Sequence, residues 1–550
     1  MVRAETSTWW KEGVVYQVWP RSFRDSNGDG VGDLRGVIDS LPYIKSLGVD
    51  IIWFNPIFQS PNDDMGYDVS DYQAILPEFG TMEDFDELLS KAHGMGLKVV
   101  LDLVANHSSD EHPWFLESKR SRDNPKSDWY IWRDKPNNWG AWFGGSAWEY
   151  VPARKQYYLH CFSKKQPDLN WENPEVRKAI YDVMRFWGDK GVDGFRFDAV
   201  TRYSKDLSFP DTTPDSTGYG FPASLNGPHE HLYLKEMYRE VISHYDWMTV
   251  GEGGGSTPES TWDYVDPRRK ELDMVFVGPH TAIGRPRYGN GYDLSGFDLP
   301  AFKAVIDLWQ RGMEHHGWMG WYLENHDQVR SVSRWGNDGI YWKESGKMLA
   351  TLLLFLRGTP YIYMGEELGM TNYPFSSASV LRALETGNGR KGLAERGYAP
   401  DRMWNIIRQT SRDNSRTPMQ WTDGDHAGFS TASPWINVNP RYKEINAGEE
   451  EKDPDSILWY YRHAIQVRKA HHAAIYGSFR LLAPKDEQVF AFTRDDGKEE
   501  LLVVLNFTGV HARFAIPERF RNAERITGNY PDTPSGLLHA YEAYVLARNK

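Results

Sequence analysis

Four acids stand where apolar runs give way to loops: Asp102, Asp198, Glu252 and Asp327. His107 and His326 lie beside them in the sequence. Two carboxyls held about 5–5.5 Å apart can cleave a glycosidic bond with retention, one attacking the anomeric carbon while the other protonates the leaving oxygen. Asp198 closes the stretch Gly191–Val200, in which Arg196 sits inside an apolar run two residues before the acid. A guanidinium aligned with that carboxylate keeps it ionised and fixed in direction, as a carboxylate nucleophile requires. The competing reading is an ordinary Arg–Asp pair at a strand end. Asp198 is thus read as nucleophile and Glu252, after Val250-Gly251, as a general acid/base needing a raised pKa. Asp327 and His326 would hold ring hydroxyls that bind more tightly as the sugar flattens. A metal site is the alternative for the His/Asp set, but the sequence shows neither an i, i+4 histidine pair nor a cysteine cluster to support it.

Positioning such acids requires strands that end together on one rim. Apolar runs at Val14–Trp19, Val49–Phe54, Leu97–Leu103, Gly194–Phe197, Trp247–Glu252, Leu272–Val277, Trp318–Leu323 and Pro360–Met364 alternate with helical patterns such as Leu34–Leu47 and Thr81–Met95. Strand–helix alternation implies a parallel sheet, and eight such units imply an α/β fold of the (β/α)₈ barrel type, with its active site at the C-terminal ends of the strands. The expected domains are a barrel over 1–103 and 172–474, an inserted subdomain over 104–171 after the third strand, and a C-terminal antiparallel β-sandwich over 475–550. The segment at about 370–452 reads as an irregular insertion in the barrel that contributes to the mouth of the site.

The loop Asp25–Asp33 carries oxygen side chains at alternate positions with glycines between them. Asp25, Asn27, Asp29 and Asp33, with the Val31 carbonyl, form a calcium-loop pattern. Gly36 occupies the twelfth position, where an EF-hand has a glutamate, so the loop is a relative of that motif and not a member. A solvated Asp/Gly turn is the plain alternative.

The 550 residues imply more than one domain, and the net charge of −13 argues against nucleic acid or an anionic membrane as partner. With 23 Trp and 30 Tyr the chain has many flat faces of the kind that stack on sugar rings, although a large core also uses them. Cys161 is the single cysteine, so no internal disulfide forms. The first residues contain no apolar leader segment, and a cytoplasmic, monomeric enzyme with a small sugar as its partner is expected.

Taken together, the blocks Asp102–His107, Gly194–Asp198, Gly251-Glu252 and Glu324–Gln328 resemble the α-amylase superfamily of glycoside hydrolases and transglycosidases (glycoside hydrolase family 13). The likeness is to its oligo-1,6-glucosidase, α-glucosidase and sucrose isomerase branch. Gln166–Asn170, Gly66–Asp68, Asp25–Asp33, Gly365–Asn372 and Ser411–Trp421 support the resemblance along the whole chain. It implies a retaining exo-acting α-glucosidase with Asp198 as nucleophile, Glu252 as acid/base and Asp327 as transition-state stabiliser. It further implies that Asp68, Tyr67, His107, Gln166, Phe162, Arg196, His326 and Arg412 surround a terminal glucose, with an Asp68–Arg412 ion pair closing the pocket. Glu324 and Gln328 are counted with the substrate residues, and a structural calcium or magnesium is implied in the Asp25–Asp33 loop. Two features point away from strict α-1,6 hydrolysis. Ala199 follows the nucleophile where strict α-1,6-glucosidases usually carry Val. The segments Tyr203–Asp211 and 370s resemble sucrose isomerases, though the Gly278–Tyr288 stretch has Arg285 and Arg287 without acidic partners. Isomerisation of sucrose, or other glucosyl transfer, is therefore the alternative reaction. Trehalose synthesis and a non-enzymatic transporter-associated ectodomain are remoter ones.

Overall fold

The computed structural model describes residues 8–214, 218–220, 222, 224–283, 296–377, 380–383, 393–394, 397–531 and 536–550. Eight parallel strands close a barrel: β1 Val15–Val18, β2 Ile51–Phe54, β3 Lys98–Val104, β4 Gly194–Asp198, β5 Met248–Gly251, β6 Met274–Phe276, β7 Met319–Tyr322 and β8 Thr359–Tyr363. Each is one of the runs named above, and each pairs with its neighbours in sequence, β8 returning to β1. The strands are buried along nearly their whole length, which is why they read as unbroken apolar runs instead of alternating ones.

Helices between the strands are fixed by local chemistry. The helix Pro174–Lys190, which delivers the chain to β4, starts with the Asn173 side chain accepting from the Glu175 N–H and proline in its first turn. It stops at Gly191, left-handed at φ 104°. The register then sets the site. Asp102 on β3 lies level with Arg196 on β4, Val104 with Asp198, and Phe197 with Gly251 on β5. Arg196 and Asp198, two residues apart, share one face, and Glu252 emerges beside Asp198. The β4–β5 approach needs glycine at its start. Gly194 has φ 149°, and a Cβ there would fall 2.0 Å from the Met248 carbonyl oxygen.

Between β3 and the helix Pro174–Lys190, a three-stranded antiparallel sheet (Trp132–Arg133, Gln156–Leu159, Trp148–Val151) packs around Trp139, Trp148, Leu159 and Cys161. The 370–452 segment has more order than the sequence suggested, with helices Pro400–Thr410, Asp413–Arg416 and Ala447–Lys452. The first of these buries little beyond Ile406 and Ile407, so its apolar stripe is too thin to read as a core helix.

The C-terminal strands β9 Ser478–Leu482, β10 Val489–Asp495, β11 Glu499–Asn506, β12 Glu524–Gly528 and β13 Ala543–Asn549 form an antiparallel sheet in the order β9-β10-β11-β13-β12. A two-stranded ribbon, Ala512–Arg513 with Leu537–Leu538, stands with it. Buried cations tie this sheet to the barrel. Arg494 spreads over the carbonyls of Phe355, Ala474, Ile475 and Gly477 at 2.6–3.1 Å. Lys303 donates to those of Ala483, Asp486 and Val489 at 2.6–2.9 Å. Among the described residues no helix is long and apolar enough to cross a membrane.

Candidate active site

Arg196 is the hub of the strand-end acids. Buried to 2 %, its Nη1 donates to Asp102 and to Asp198 at 2.7 Å each, and its Nη2 lies 3.0 Å from Glu252. One guanidinium therefore serves three carboxylates. Glu252 also accepts from the backbone N–H of Ala199 at 2.9 Å. That N–H is aimed by a left-handed backbone at Ala199, φ 44°, immediately after the nucleophile candidate.

Burial pushes Asp102 and Asp198 up to about 6, with Arg196 pulling both down. Glu252 is pushed higher, to about 7, by burial and by the charges of Asp198 and Asp327. Its side chain is 41 % exposed, but it opens into a pocket walled by protein, so the low-dielectric surroundings still govern it. A hydrogen bond from protonated Glu252 favours ionised Asp198. The order of the two values suits one group attacking as a carboxylate while the other gives up a proton.

Across the pocket, Asp327 is held far below the usual carboxylate range. Burial opposes this, and His326, Arg412 and Arg416 overcome it. Arg412 Nη1 reaches it at 2.9 Å and Arg416 Nη2 at 3.1 Å. His326 is driven down to about 3, chiefly by burial, and is neutral at neutral pH. Its tautomer follows from the Gln17 amide, whose Nε2 donates to Asn55 at 2.9 Å and faces His326 Nδ1 at 3.0 Å. With Nδ1 accepting, Nε2 carries the proton and donates to the Tyr67 hydroxyl at 2.8 Å, with Asp327 at 3.2 Å. Tyr67 in turn donates to Asp102 at 2.9 Å. The chain Gln17–His326–Tyr67–Asp102 runs in one donor direction and ends on the carboxylate that Arg196 holds.

Most of the residues singled out from sequence meet here. His107 Nε2 lies 2.9 Å from the Tyr67 carbonyl and 3.2 Å from Gln166 Nε2. Phe162 packs its ring 5.1 Å from that of His107. Two assignments need correction. Asp68 does not pair with Arg412: it is fully buried and accepts from Ser60 Oγ and the backbone N–H groups of Asp63 and Asp64 at 2.8–3.0 Å. The acid facing Arg412 is Asp64, at 3.5 Å, which also accepts from Gln166 at 3.1 Å. Gly66, at φ 102°, turns the chain between the two, so the acid before the turn faces the pocket and the one after it faces inward. Glu324 is also turned inward, spent on Arg330 at 2.9 Å and the Ser331 N–H at 2.5 Å. Gln328 accepts from Arg334 at 3.1 Å. Asp64, Arg416, Gln17 and Asn55 were not foreseen, although Arg416 closes the same Ser411–Arg416 motif as Arg412. Arg285 and Arg287 lie outside the described residues.

The Asp25–Asp33 loop is a nest of side-chain-to-backbone bonds. Asp25 accepts from the N–H groups of Asn27, Gly28 and Gly30 and from Ser430 Oγ, while Asp33 accepts from Ser26 and Gly36. Asn27 Oδ1 and Asp29 Oδ1 each take one N–H two residues on. A carboxylate offers about four acceptor sites, so Asp29 and Asp33 retain oxygen capacity for a hard cation, whereas Asp25 would have to share or release a donor. Among the described residues no three His, Cys, Asp or Glu side chains already converge as a metal site.

The exchange of roles between Asp64 and Asp68 can be checked by thermal unfolding. Asp68→Ala strands three donors, two of them buried, and should lower the midpoint by a few degrees, on the order of 2–4 °C or more. Asp64→Ala, whose partners keep Asp327 and the Tyr67 carbonyl, should move it much less. The reverse ranking would contradict the assignment.

This geometry can be set beside known proteins. Residues 17–477 match the family description "Alpha amylase, catalytic domain". The chain is 50 % identical over 552 residues to an oligo-1,6-glucosidase of Bacillus cereus, covering 98 % of this chain and 99 % of the relative. Among solved structures it is similar to trehalose-6-phosphate hydrolase of Bacillus licheniformis, with TM-score 0.92 and 44 % identity, covering 98 % of this chain and 99 % of that one. It is also similar to isomaltulose synthase of Klebsiella sp. LX3, with TM-score 0.94 and 42 % identity, covering 99 % and 100 %. With the barrel, the acids on its rim and these likenesses together, the chain belongs to the alpha-amylase family of glycoside hydrolases.

Proposed function

We propose that the protein is a retaining, exo-acting α-glucosidase that removes a terminal α-linked glucose from a short oligosaccharide or disaccharide, including glucosyl-fructoses. The observation that carries this reading is Arg196, which holds Asp198 and Glu252 together while their surroundings set Asp198 the lower of the two. In the first step an Asp198 oxygen forms a bond to the anomeric carbon as the glycosidic C–O bond breaks, and the Glu252 proton passes to the leaving oxygen. In the second, Glu252 takes a proton from water, which attacks the same carbon and frees Asp198. Asp327, locked in the ionised form, stabilises the positive charge that develops on the sugar in the transition state of each step. Asp64, Arg412 and Asp327 close the pocket behind one sugar, which supports action at a chain end.

Isomerisation of sucrose is the second reading, favoured by the likeness to isomaltulose synthase. It uses the same acids and differs only in what attacks the glucosyl–Asp198 intermediate, a retained fructose instead of water. The 50 % identity to oligo-1,6-glucosidases over nearly the whole chain puts hydrolysis first.

The loop cation belongs to the same proposal. Asn27, Asp29, Asp33 and the Val31 carbonyl, with Asp25 rearranged, would hold calcium or magnesium, which would brace the loop against the Phe429–Ser430 segment it already touches.

Retention is tested by proton NMR of the first-formed sugar from isomaltose, which should be α-glucose; β-glucose appearing first would overturn the mechanism. Asp198→Asn and Glu252→Gln should each lower kcat by at least about 10²–10⁴-fold with an unchanged fold. The pH dependence follows from the signs of the two shifts. Asp198 must be ionised, so kcat/KM should rise as pH climbs through about 6, and Glu252 must be protonated, so it should fall through about 7. A flat profile between pH 5 and 8 would contradict those roles. For the cation, chelation should lower the thermal unfolding midpoint and added calcium should restore it; a midpoint indifferent to both would leave the loop as a self-sufficient turn.

A further inference from the structure

Arg330 is fully buried, yet it holds three separate segments of the chain together. Its Nη1 donates to Glu324 Oε1 and to the Met364 carbonyl at 2.9 Å each, and its Nη2 reaches the Ser415 carbonyl at 3.4 Å. Glu324 stands just past β7, Met364 follows β8 and Ser415 belongs to the Ser411–Arg416 motif. The backbone N–H of Arg330 donates to Asn372 Oδ1 at 2.9 Å, and the Ser331 N–H takes the other Glu324 oxygen. The guanidinium also lies 5.1 Å over the Tyr363 ring, whose hydroxyl donates to the same Ser415 carbonyl at 2.8 Å.

The places these ties fall give them a consequence for the acids. Glu324 and Arg330 are the two ends of the loop 324–330, and Asp327 is its midpoint. Their ion pair closes that loop at its base. Ser415 lies between Arg412 and Arg416, which hold Asp327 at 2.9 and 3.1 Å, and Arg416 Nε also donates to the His326 carbonyl at 3.1 Å. Loop and motif are therefore clasped twice, once at the pocket through Asp327 and once in the interior through Arg330. A buried ion pair is weak evidence of stability, because taking both charges out of water offsets most of their attraction. An apolar pair of similar volume would pack there as well. It could not hold a carboxylate and two carbonyls from three segments at fixed distances, which a planar fork of donors does.

We propose that Arg330 is a positioning residue of the glycosidic reaction, one that acts from the interior by fixing Asp327 against Arg412 and Arg416. The proposal rests on the glucosidase reading and adds to it the contact that aims the transition-state stabiliser.

The test is a double-mutant cycle of Arg330→Lys and Asp327→Asn, read as glucose release from α-glucosyl fluoride. Lysine keeps a positive charge for Glu324 but lacks the fork that spans Met364 and Ser415. Arg330→Lys should lower kcat by about 10- to 100-fold while KM moves less than about threefold, the split of an interaction expressed in the transition state. In the Asp327→Asn background the same change should cost less than about threefold more. An equal fold-loss in both backgrounds would overturn the proposal, because Arg330 would then serve the fold at large. So would an Arg330→Lys enzyme as fast as the wild type. Should Arg330→Lys fail to fold, Tyr363→Phe, which removes only the hydroxyl on the Ser415 carbonyl, carries the same cycle. A kcat loss that vanishes with Asp327→Asn supports the proposal, and no loss, or an equal loss in both backgrounds, overturns it. Failure of the underlying reading looks different: the wild-type protein would release no glucose from the fluoride, or Asp327→Asn alone would be as fast as the wild type.

Discussion

The structure depends on one buried guanidinium. Arg196 leaves water entirely to stand among Asp102, Asp198 and Glu252, and a charge so placed is tolerated only where partners neutralise it. Three carboxylates around one cation is more negative charge than neutralisation needs. Burial lifts Asp198 to about 6 and Glu252 to about 7, and the neighbouring carboxylates add to the lift that Arg196 opposes. The β3–β4–β5 register makes this possible by bringing Asp102 level with Arg196 and Glu252 beside Asp198. A slip of one residue in either pairing would send the arginine to the opposite face of the barrel from its acids.

The far side of the glucose pocket solves the opposite problem. Asp327 must never be protonated, and it has two arginines, Arg412 and Arg416, to itself at 2.9 and 3.1 Å. Both come from the segment beyond the barrel's last strand, so the 370–452 region completes the site even though it adds no barrel strand. Across both sides three guanidiniums face five carboxylates, counting Asp64 and Asp102. With Glu252 protonated the pocket still carries net negative charge, the sign that favours a sugar turning cationic over a neutral one.

The sequence was most readable where structure follows from periodicity and least where it follows from turns. Parallel strands covered on both faces must be apolar throughout, so all eight showed themselves, and acids at their ends were conspicuous against that background. Asp64 and Asp68 could not be told apart that way. Both flank Gly66-Tyr67, and which one meets Arg412 is decided by a left-handed glycine whose effect no pattern of residue types records. Glu324 was misplaced for a related reason: as the second residue past β7 it is reclaimed by Arg330 and Ser331, partners that follow it by six and seven positions and fold back beneath it. Gln17 and Asn55 were missed because a neutral amide within a strand or just past its end carries no charge to mark it. Their role appears only when His326 and Tyr67 are stacked in space, with ring centroids 5.4 Å apart.

Two neighbouring parts of the site are built from opposite materials. Around the glucose, Tyr67, His107, Gln166, His326, Asp327 and Arg412 hold one another at hydrogen-bonding distances, so none can shift without breaking a buried bond. A cavity beside Glu252 is lined largely by glycine backbone and aromatic faces, which exclude by volume more than by unmet hydrogen bonds. The first kind of wall discriminates steeply, because a wrong sugar leaves buried polar groups unpaired; the second discriminates by only about 1–3 kcal/mol per methylene. A family constructed in this way can keep its acids and its glucose pocket while exchanging substrates and even the second nucleophile. That is the pattern among the relatives, which share this barrel and are named for hydrolysis in some cases and for isomaltulose synthesis in another.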